Sequence, residues 1–351
     1  MYPALAVLQA LGDEADPVLW VGSQDGMEAD LVKRNQVNFT PIPAGQVHGI
    51  GLRTLPRNLW QLSQGVRESR RILKDFRPDV LFYTGGFVAV PMAVAGRAYP
   101  SVLYVPDIEP GWALQFMARF ASRITVTTQT SQSYFPRNQK VVVTGYPTRK
   151  ELTTWKREEA LQALGLTQDL PVLLVAGGSK GARSLNLALQ AILPDLLPWM
   201  QVLHLTGHAG WEAVAAFRQQ LPQANRYHAL PYLHEMGQAL ASADLVVSRA
   251  GASTLAEYPL FGLPAILVPY PYAWRYQKVN AAHLVDHQAA VLVRDEDLGS
   301  QLLPTIRQLL GDPEKLAEMR RAMWALAVPG AADAIADQIR HLANEKPARS
   351  H

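Results

Sequence analysis

Residues 244–280, DLVVSRAGASTLAEYPLFGLPAILVPYPYAWRYQKVN, carry residue types whose spacing suits an anion and a sugar. Asp244 to Ser248 is a short apolar run, and Arg249-Ala250-Gly251-Ala252-Ser253 is a tight polar loop. Thr254 to Phe261 has helical apolar spacing, Gly262 ends that helix, and Ala265 to Val268 reads as a second buried strand. A glycine loop between a strand and a helix N-terminus points backbone N–H groups outward, where the helix dipole favours an anion. Glu257 lies one turn inside the helix, where a carboxylate can accept bonds from the 2′- and 3′-hydroxyls of a ribose. Gln277 and Asn280 share a helix face and offer amides suited to sugar hydroxyls. Phosphate loop, ribose acid and hexose amides together suggest a nucleotide-sugar site. The plainer alternative is an ordinary α/β turn with a surface glutamate.

Three other stretches end a strand on a loop of similar chemistry. Val172–Asn186 reads VLLVAGGSKGARSLN, an apolar strand, a glycine turn and a helix, in which Ser179 can bond a phosphate oxygen. Its spacing is not that of a Walker A motif, and a mere strand–helix turn is the alternative. Asp79–Pro91, DVLFYTGGFVAVP, repeats the architecture around Gly85 and Gly86, either as a turn needing glycine geometry or as a loop where an acceptor pyrophosphate could sit. Gly145–Arg149 leaves an arginine at a strand end, able to neutralise a diphosphate or simply to be solvated.

Residues 46–78 hold seven basic side chains against two acidic ones. Their start interleaves Ile50, Leu52, Leu55, Leu59 and Trp60 with Arg53 and Arg57. Such an apolar wedge rimmed by arginines suits an anionic membrane surface, and a core-facing helix with a solvated basic side is the alternative. Asp295-Glu296-Asp297 has a D-x-D look, but it opens a helix, where acids complement the dipole. The nine histidines show no metal-site spacing, and there is no GxSxG, so no metal is expected.

Strand-like and helix-like segments must alternate to place these loops. Strands are expected at 17–21, 39–42, 79–83, 101–105, 123–126 and 141–144, with a long helix from about Leu55 to Phe76. After the turn-rich break at Gly145–Arg149 a second set follows at 172–176, 202–205, 245–247, 265–268 and 290–293, and a final helix begins after Pro329-Gly330. The expected fold class is α/β, two doubly wound (Rossmann-like) halves facing a ligand cleft. Composition agrees: 351 residues suit two domains, and 18% charged with 48% apolar residues is ordinary for a globular protein. A net charge of +3 is too small to argue for nucleic acid, and none is expected as a partner. Without cysteine there is no disulfide, thiolate zinc site or cysteine nucleophile. No apolar run reaches the length of a spanning helix, and no signal peptide is visible, so a soluble or peripheral protein is expected.

GGSKGARSLN, SRAGASTLAE, GLPAILVPYP, the Gln277/Asn280 pair, GGFVAVP and VVVTGYPTR occur in the order seen in the MurG family, which this chain resembles along essentially its whole length. The resemblance implies a GT-B fold and a metal-independent, inverting transfer of GlcNAc from UDP-GlcNAc to an undecaprenyl-linked acceptor, lipid I becoming lipid II. It implies no cofactor and a peripheral place on the cytoplasmic face of the bacterial plasma membrane. Residues 1–148 would form the acceptor- and membrane-facing domain, with a C-terminal helix at 329–345 packing back on it, and 149–328 the donor domain. By match, Ser179 and Arg149 would contact the diphosphate and Thr254 with the Arg249–Ser253 loop (Gly251 included) the α-phosphate region. Glu257 would hold the ribose, Gln277 the GlcNAc hydroxyls, and Tyr232-Leu233 would flank the uracil. The wedge around Trp60 would sit on the membrane.

Two departures bear on the acceptor side. A His-Glu-Gln-Asn loop of the family reads here Pro106-Asp107-Ile108-Glu109, which leaves acceptor identity open and makes Asp107 and Glu109 candidates there. A related glycolipid transferase, a non-catalytic UDP-sugar-binding membrane partner and, more distantly, an epimerase are the rival readings. The family also begins with a strand and a glycine-rich loop ending in histidine, a catalytic candidate, whereas this chain opens on the helix MYPALAVLQAL, so no catalytic residue is assigned. The expectation is that Met1 is an internal valine codon, GTG, read as a start. A doubly wound domain deprived of a central strand would expose two ladder edges. It would forfeit three or four buried side chains at ~1.5–3 kcal/mol each, about 5–12 kcal/mol against a domain stability of ~5–15 kcal/mol.

Overall fold

The structure is a computed structural model that describes residues 1–23, 28–45, 55–178, 181–271 and 276–345. The chain divides into two compact units, residues 1–149 with 330–351, and 150–329.

The first unit starts with helix α1 (Tyr2–Leu11), strand β1 (Leu19–Ser23), α2 (Glu28–Arg34) and β2 (Asn38–Ile42). The long α3 (Leu55–Phe76) leads to β3 (Leu81–Tyr83), α4 (Ala89–Ala95) and β4 (Ser101–Val105), then α5 (Trp112–Ala118), β5 (Arg123–Val126) and β6 (Val141–Val143). Its strands form two parallel sheets, β1-β2 and β3-β4-β5-β6. Among the described residues β1 forms a ladder only with β2, and β3 only with β4. Leu103, Val105, Ile124 and Val126 project from the central strands into a core closed by Leu73 of α3, Met92 of α4 and Met117 of α5.

The second unit runs α6 (Arg157–Leu164), β7 (Val172–Ala176), α7 (Arg183–Leu196), β8 (Gln201–Leu205), α8 (Trp211–Arg218) and β9 (Tyr227–Leu230). It continues through α9 (Met236–Ser242), β10 (Leu245–Ser248), α10 (Thr254–Phe261), β11 (Ala265–Leu267), α11 (Tyr276–Asp286) and β12 (Ala290–Leu292) to α12 (Leu298–Leu310) and α13 (Pro313–Ala325). The chain then returns to the first unit as α14 (Ala331–Asn344), where Ile335 packs with Val7 and Tyr104. There Arg340 donates to Glu14 and to the Ala10 carbonyl, and Arg123 to Gln338.

All six strands of the second unit are parallel, in the order β12-β11-β10-β7-β8-β9. β7, β8 and β10 are buried along their whole length, as strands covered by helices on both faces must be, which is why β7 reads as an unbroken apolar run. β8 carries the buried Gln201 and His204, and β10 ends on the buried Ser248. β9, absent from the sequence reading, alternates buried and half-buried residues at the sheet edge, so its apolar signal is diluted by His228.

A buried polar set locks α7 to this sheet. Asn186 donates through Nδ2 to the Thr206 carbonyl (3.0 Å), which turns its Oδ1 toward His204 Nε2 (3.0 Å). His204 Nδ1 then accepts from the Tyr227 hydroxyl (2.6 Å). Burial pulls the His204 imidazole from 6.5 down to about 3, so the fold keeps it neutral while the unfolded chain takes up a proton. Its contribution is complete above about pH 6.5 and is lost as pH falls toward 3, at up to ~1.4 kcal/mol per pH unit. A His204→Gln chain should therefore lose less stability than wild type between pH 7.5 and 5 in urea titrations. Equal losses would remove His204 as the source.

Candidate functional site

In the second unit the chain leaves β7 toward β8 and β9 on one side and later toward β10, β11 and β12 on the other. The reversal puts β7 and β10 side by side, with Ala176 in register with Ser248. Loops that leave the carboxyl ends of two such strands diverge and open a crevice, the general ligand position in open α/β sheets. The two loops here are the Gly177–Ala182 turn and the Arg249–Ser253 loop.

Glycine is required in the first of them. Gly181 has φ +77°, and a Cβ there would run into the Thr206 carbonyl, already held by Asn186. A Cβ on Gly177 would collide with the Ala182 N–H group. The turn thereby delivers the chain into α7, fourteen residues long, whose N-terminus carries partial positive charge. Ser179 lies outside the described residues.

In the second loop, Thr254 Oγ1 donates to the Gly251 carbonyl (2.7 Å), and the Thr254 N–H returns to the same oxygen (3.1 Å). Thr254 thus shapes the loop, and its hydroxyl proton is committed there. Among the described residues the N–H groups of Gly251, Ala252 and Ser253 donate to no backbone carbonyl. A Cβ on Gly251 would meet nothing within 4 Å, so the backbone is open to close approach. Three such N–H groups at the start of an eight-residue helix have the chemistry that suits an anion. Glu257 stands half-buried in the first turn of that helix.

Two expectations in this unit need correction. Asn280, expected beside Gln277 to meet a hexose, is fully buried and donates to the Ala250 carbonyl (3.2 Å), so it holds the Arg249–Ser253 loop. Arg249, expected in the phosphate seat, turns inward to Asp295 (2.6 Å). Asp295 does open the helical turn before α12 with Glu296 and Asp297, as expected, and it is also the partner of that arginine, while Asp297 pairs with Arg294 (2.6 Å). Nothing local could reveal the Arg249–Asp295 pair, because the two lie on different connections of the sheet.

Gln277, half-buried, accepts the Tyr270 N–H on Oε1 (2.9 Å), which leaves its two amide protons as donors. Tyr232, in the turn after β9 and followed by the half-buried Leu233, lies near-parallel to His208 at 6.0 Å and edge-on to His234 at 4.9 Å.

The remaining candidates belong to the first unit. Arg149 lies over the Tyr2 ring at 5.2 Å. Gly85 and Gly86 both take positive φ after β3, with the Gly85 turn packed on Leu114 of α5. Glu109 is only 4% exposed, which leaves Asp107 as the accessible carboxylate of its loop and removes Glu109 from direct acceptor contact. Arg57 is exposed on α3 and Trp60 is 63% exposed; Ile50, Leu52 and Arg53 lie outside the described residues. Among the described residues no helix is long and apolar enough to cross a membrane, and no cluster of His, Asp and Glu could hold a metal.

The comparisons with known proteins converge. The glycosyltransferase family 28 N-terminal domain matches residues 1–126 and the family 28 C-terminal domain residues 172–337. A UDP-N-acetylglucosamine–N-acetylmuramyl-(pentapeptide) pyrophosphoryl-undecaprenol N-acetylglucosamine transferase of Desulforamulus reducens is 38% identical, covering 97% of this chain and 94% of its own. The protein of the same name from Desulforudis audaxviator is 37% identical over 98% and 96%. Among solved structures, MurG of Acinetobacter baumannii superposes with a TM-score of 0.76 at 26% identity, covering 97% of this chain and 95% of that one.

Proposed function

Because the chain belongs to the UDP-N-acetylglucosamine–N-acetylmuramyl-(pentapeptide) pyrophosphoryl-undecaprenol N-acetylglucosamine transferases of glycosyltransferase family 28, we propose that it moves GlcNAc from UDP-GlcNAc to a lipid-linked acceptor. The acceptor is the undecaprenyl-pyrophosphoryl N-acetylmuramyl pentapeptide of its relatives. The observation that carries this reading is the pairing of β7 with β10, which brings two anion-seating loops and Glu257 to one end of one sheet.

The donor roles follow from the chemistry of each group. Backbone N–H groups of Gly251, Ala252 and Ser253 and the N-terminus of α7 take the diphosphate, with Ser179 and Arg149 proposed there on the sequence match. Glu257 accepts the ribose hydroxyls, the Gln277 amide donates to the hexose, and Tyr232-Leu233 flank the uracil. In the reaction an acceptor hydroxyl oxygen bonds to the anomeric carbon while the bond from that carbon to the β-phosphate oxygen breaks, so configuration inverts. The departing oxygen gains negative charge, which fixed N–H dipoles stabilise without having to reorganise. The hydroxyl proton passes to a general base as the new bond forms.

The first unit is proposed to take the acceptor, with Asp107, Gly85 and Gly86 on that side, and to rest on an anionic lipid surface at the cytoplasmic face of the plasma membrane. The exposed Trp60 beside Leu59 and Arg57 supports that placement. Charge reversal by Arg53→Glu with Arg57→Glu should reduce sedimentation with anionic liposomes, at roughly 1 kcal/mol per basic residue. Binding insensitive to both the reversal and salt would reduce the patch to a solvated helix face.

Radiolabelled UDP-GlcNAc supplied with the undecaprenyl-linked acceptor, and with diacylglycerol as competitor, tests the whole reading. Label should pass to the undecaprenyl-linked acceptor. Transfer to diacylglycerol alone would reassign the acceptor, and UDP-GlcNAc binding without any transfer would favour a non-catalytic binding partner.

A further inference from the structure

We infer that Arg249 is a positioning residue and not a phosphate ligand: with Asp295 and Ser184 it forms a buried hub that assembles the segments of the donor site. The inference rests on the UDP-GlcNAc reading above and deepens it.

Arg249 follows β10 directly, in the loop that seats the anion, and its side chain is only 8% exposed. Nη1 donates to Asp295 Oδ1 (2.6 Å) and to the Val268 carbonyl just beyond β11 (3.0 Å). Nη2 donates to Ser184 Oγ in the first turn of α7 (2.7 Å), and Ser184 donates in turn to Asp295 Oδ1 (2.8 Å). The ring is therefore closed: each member is held by the other two. On one face of the guanidinium lies the Tyr270 ring at 5.2 Å, and the Tyr270 N–H holds Gln277 Oε1 at 2.9 Å. One side chain thus ties together the first turn of α7, the β10 loop, Tyr270 with its bond to Gln277, and the β12–α12 connection.

The charge state points the same way. A phosphate approaching this arginine would meet an ion pair that is already neutralised and satisfied, so little attraction remains to draw it in. What the pair supplies is geometry. Breaking a buried pair also leaves an uncompensated charge, so the hub should be sensitive to either partner.

The full-length protein decides between ligand and hub through Asp295→Asn, which keeps the side-chain shape and frees the arginine's charge. UDP and UDP-GlcNAc affinities would be measured by calorimetry at a temperature where circular dichroism shows each variant folded. Asp295→Asn and Arg249→Lys should each weaken UDP-GlcNAc at least tenfold, and the double variant should bind no worse than the weaker single. Ser184→Ala, which leaves the ion pair intact, should weaken it several-fold. Glu296→Gln, whose partner is the exposed Arg294, should bind as wild type does. Tighter UDP binding by Asp295→Asn would make Arg249 a phosphate ligand and overturn the inference. So would additive losses in the double variant, or a lowered melting temperature with unchanged affinity. Wild-type protein that binds no UDP would overturn the nucleotide-sugar reading itself, a result separable from any of these.

Discussion

Gly181→Ala is expected to abolish donor binding and to lower the stability of the second unit by about 2–4 kcal/mol. The residue has φ +77°, a conformation costing an L side chain ~1–2 kcal/mol. The added methyl would also have to displace the Thr206 carbonyl. That oxygen accepts from Asn186 (3.0 Å), whose own position is set by His204, and the Thr206 N–H is bonded to the Leu230 carbonyl (3.0 Å). The strain therefore cannot be relieved locally and must move the turn that feeds α7. Calorimetry with UDP and thermal unfolding followed by circular dichroism measure the two effects together. A variant that melts like wild type and binds UDP normally would show that the turn does not seat the nucleotide.

Glu257→Ala should weaken UDP-GlcNAc binding by ~1.5–3 kcal/mol, on the order of tenfold to more than a hundredfold, the usual value of a hydrogen bond to a charged acceptor. The side chain stands in the first turn of α10, one turn from the N–H groups proposed to hold phosphate. If its partners are the ribose hydroxyls, 2′-deoxy-UDP should bind wild type more weakly than UDP does, and the variant should discriminate between the two far less. Unchanged UDP affinity in Glu257→Ala would sink the ribose assignment. An equal loss for both nucleotides, with discrimination retained, would move Glu257 from contact to support.

Both expectations start from features legible in the chain, and the structure shows where that legibility stops. The apolar runs Val172–Ala176 and Leu245–Ser248, the glycines that follow them and the helical spacing of Thr254–Phe261 are each set by neighbours within a few residues. Backbone sterics and local burial are enough to specify them, so the alternation of strands and helices and the glycine turns between them could be read directly. Only the edge strand β9 escaped, because half its residues face away from the core.

What the sequence could not determine is which of those loops meet. Asn280 looks like a sugar-binding amide beside Gln277, yet sheet packing buries it under Ala250 while Gln277 stays half-exposed. Asp295 looks like a helix-opening acid, and only the strand order brings it to Arg249 and Ser184. Each of these roles is a pairing between residues on different connections, and a parallel sheet places them together by the order in which its strands add, not by their separation along the chain. Side-chain chemistry was therefore settled by the amino-acid sequence alone. The partners of Asn280 and Asp295 were settled by the strand order β12-β11-β10-β7.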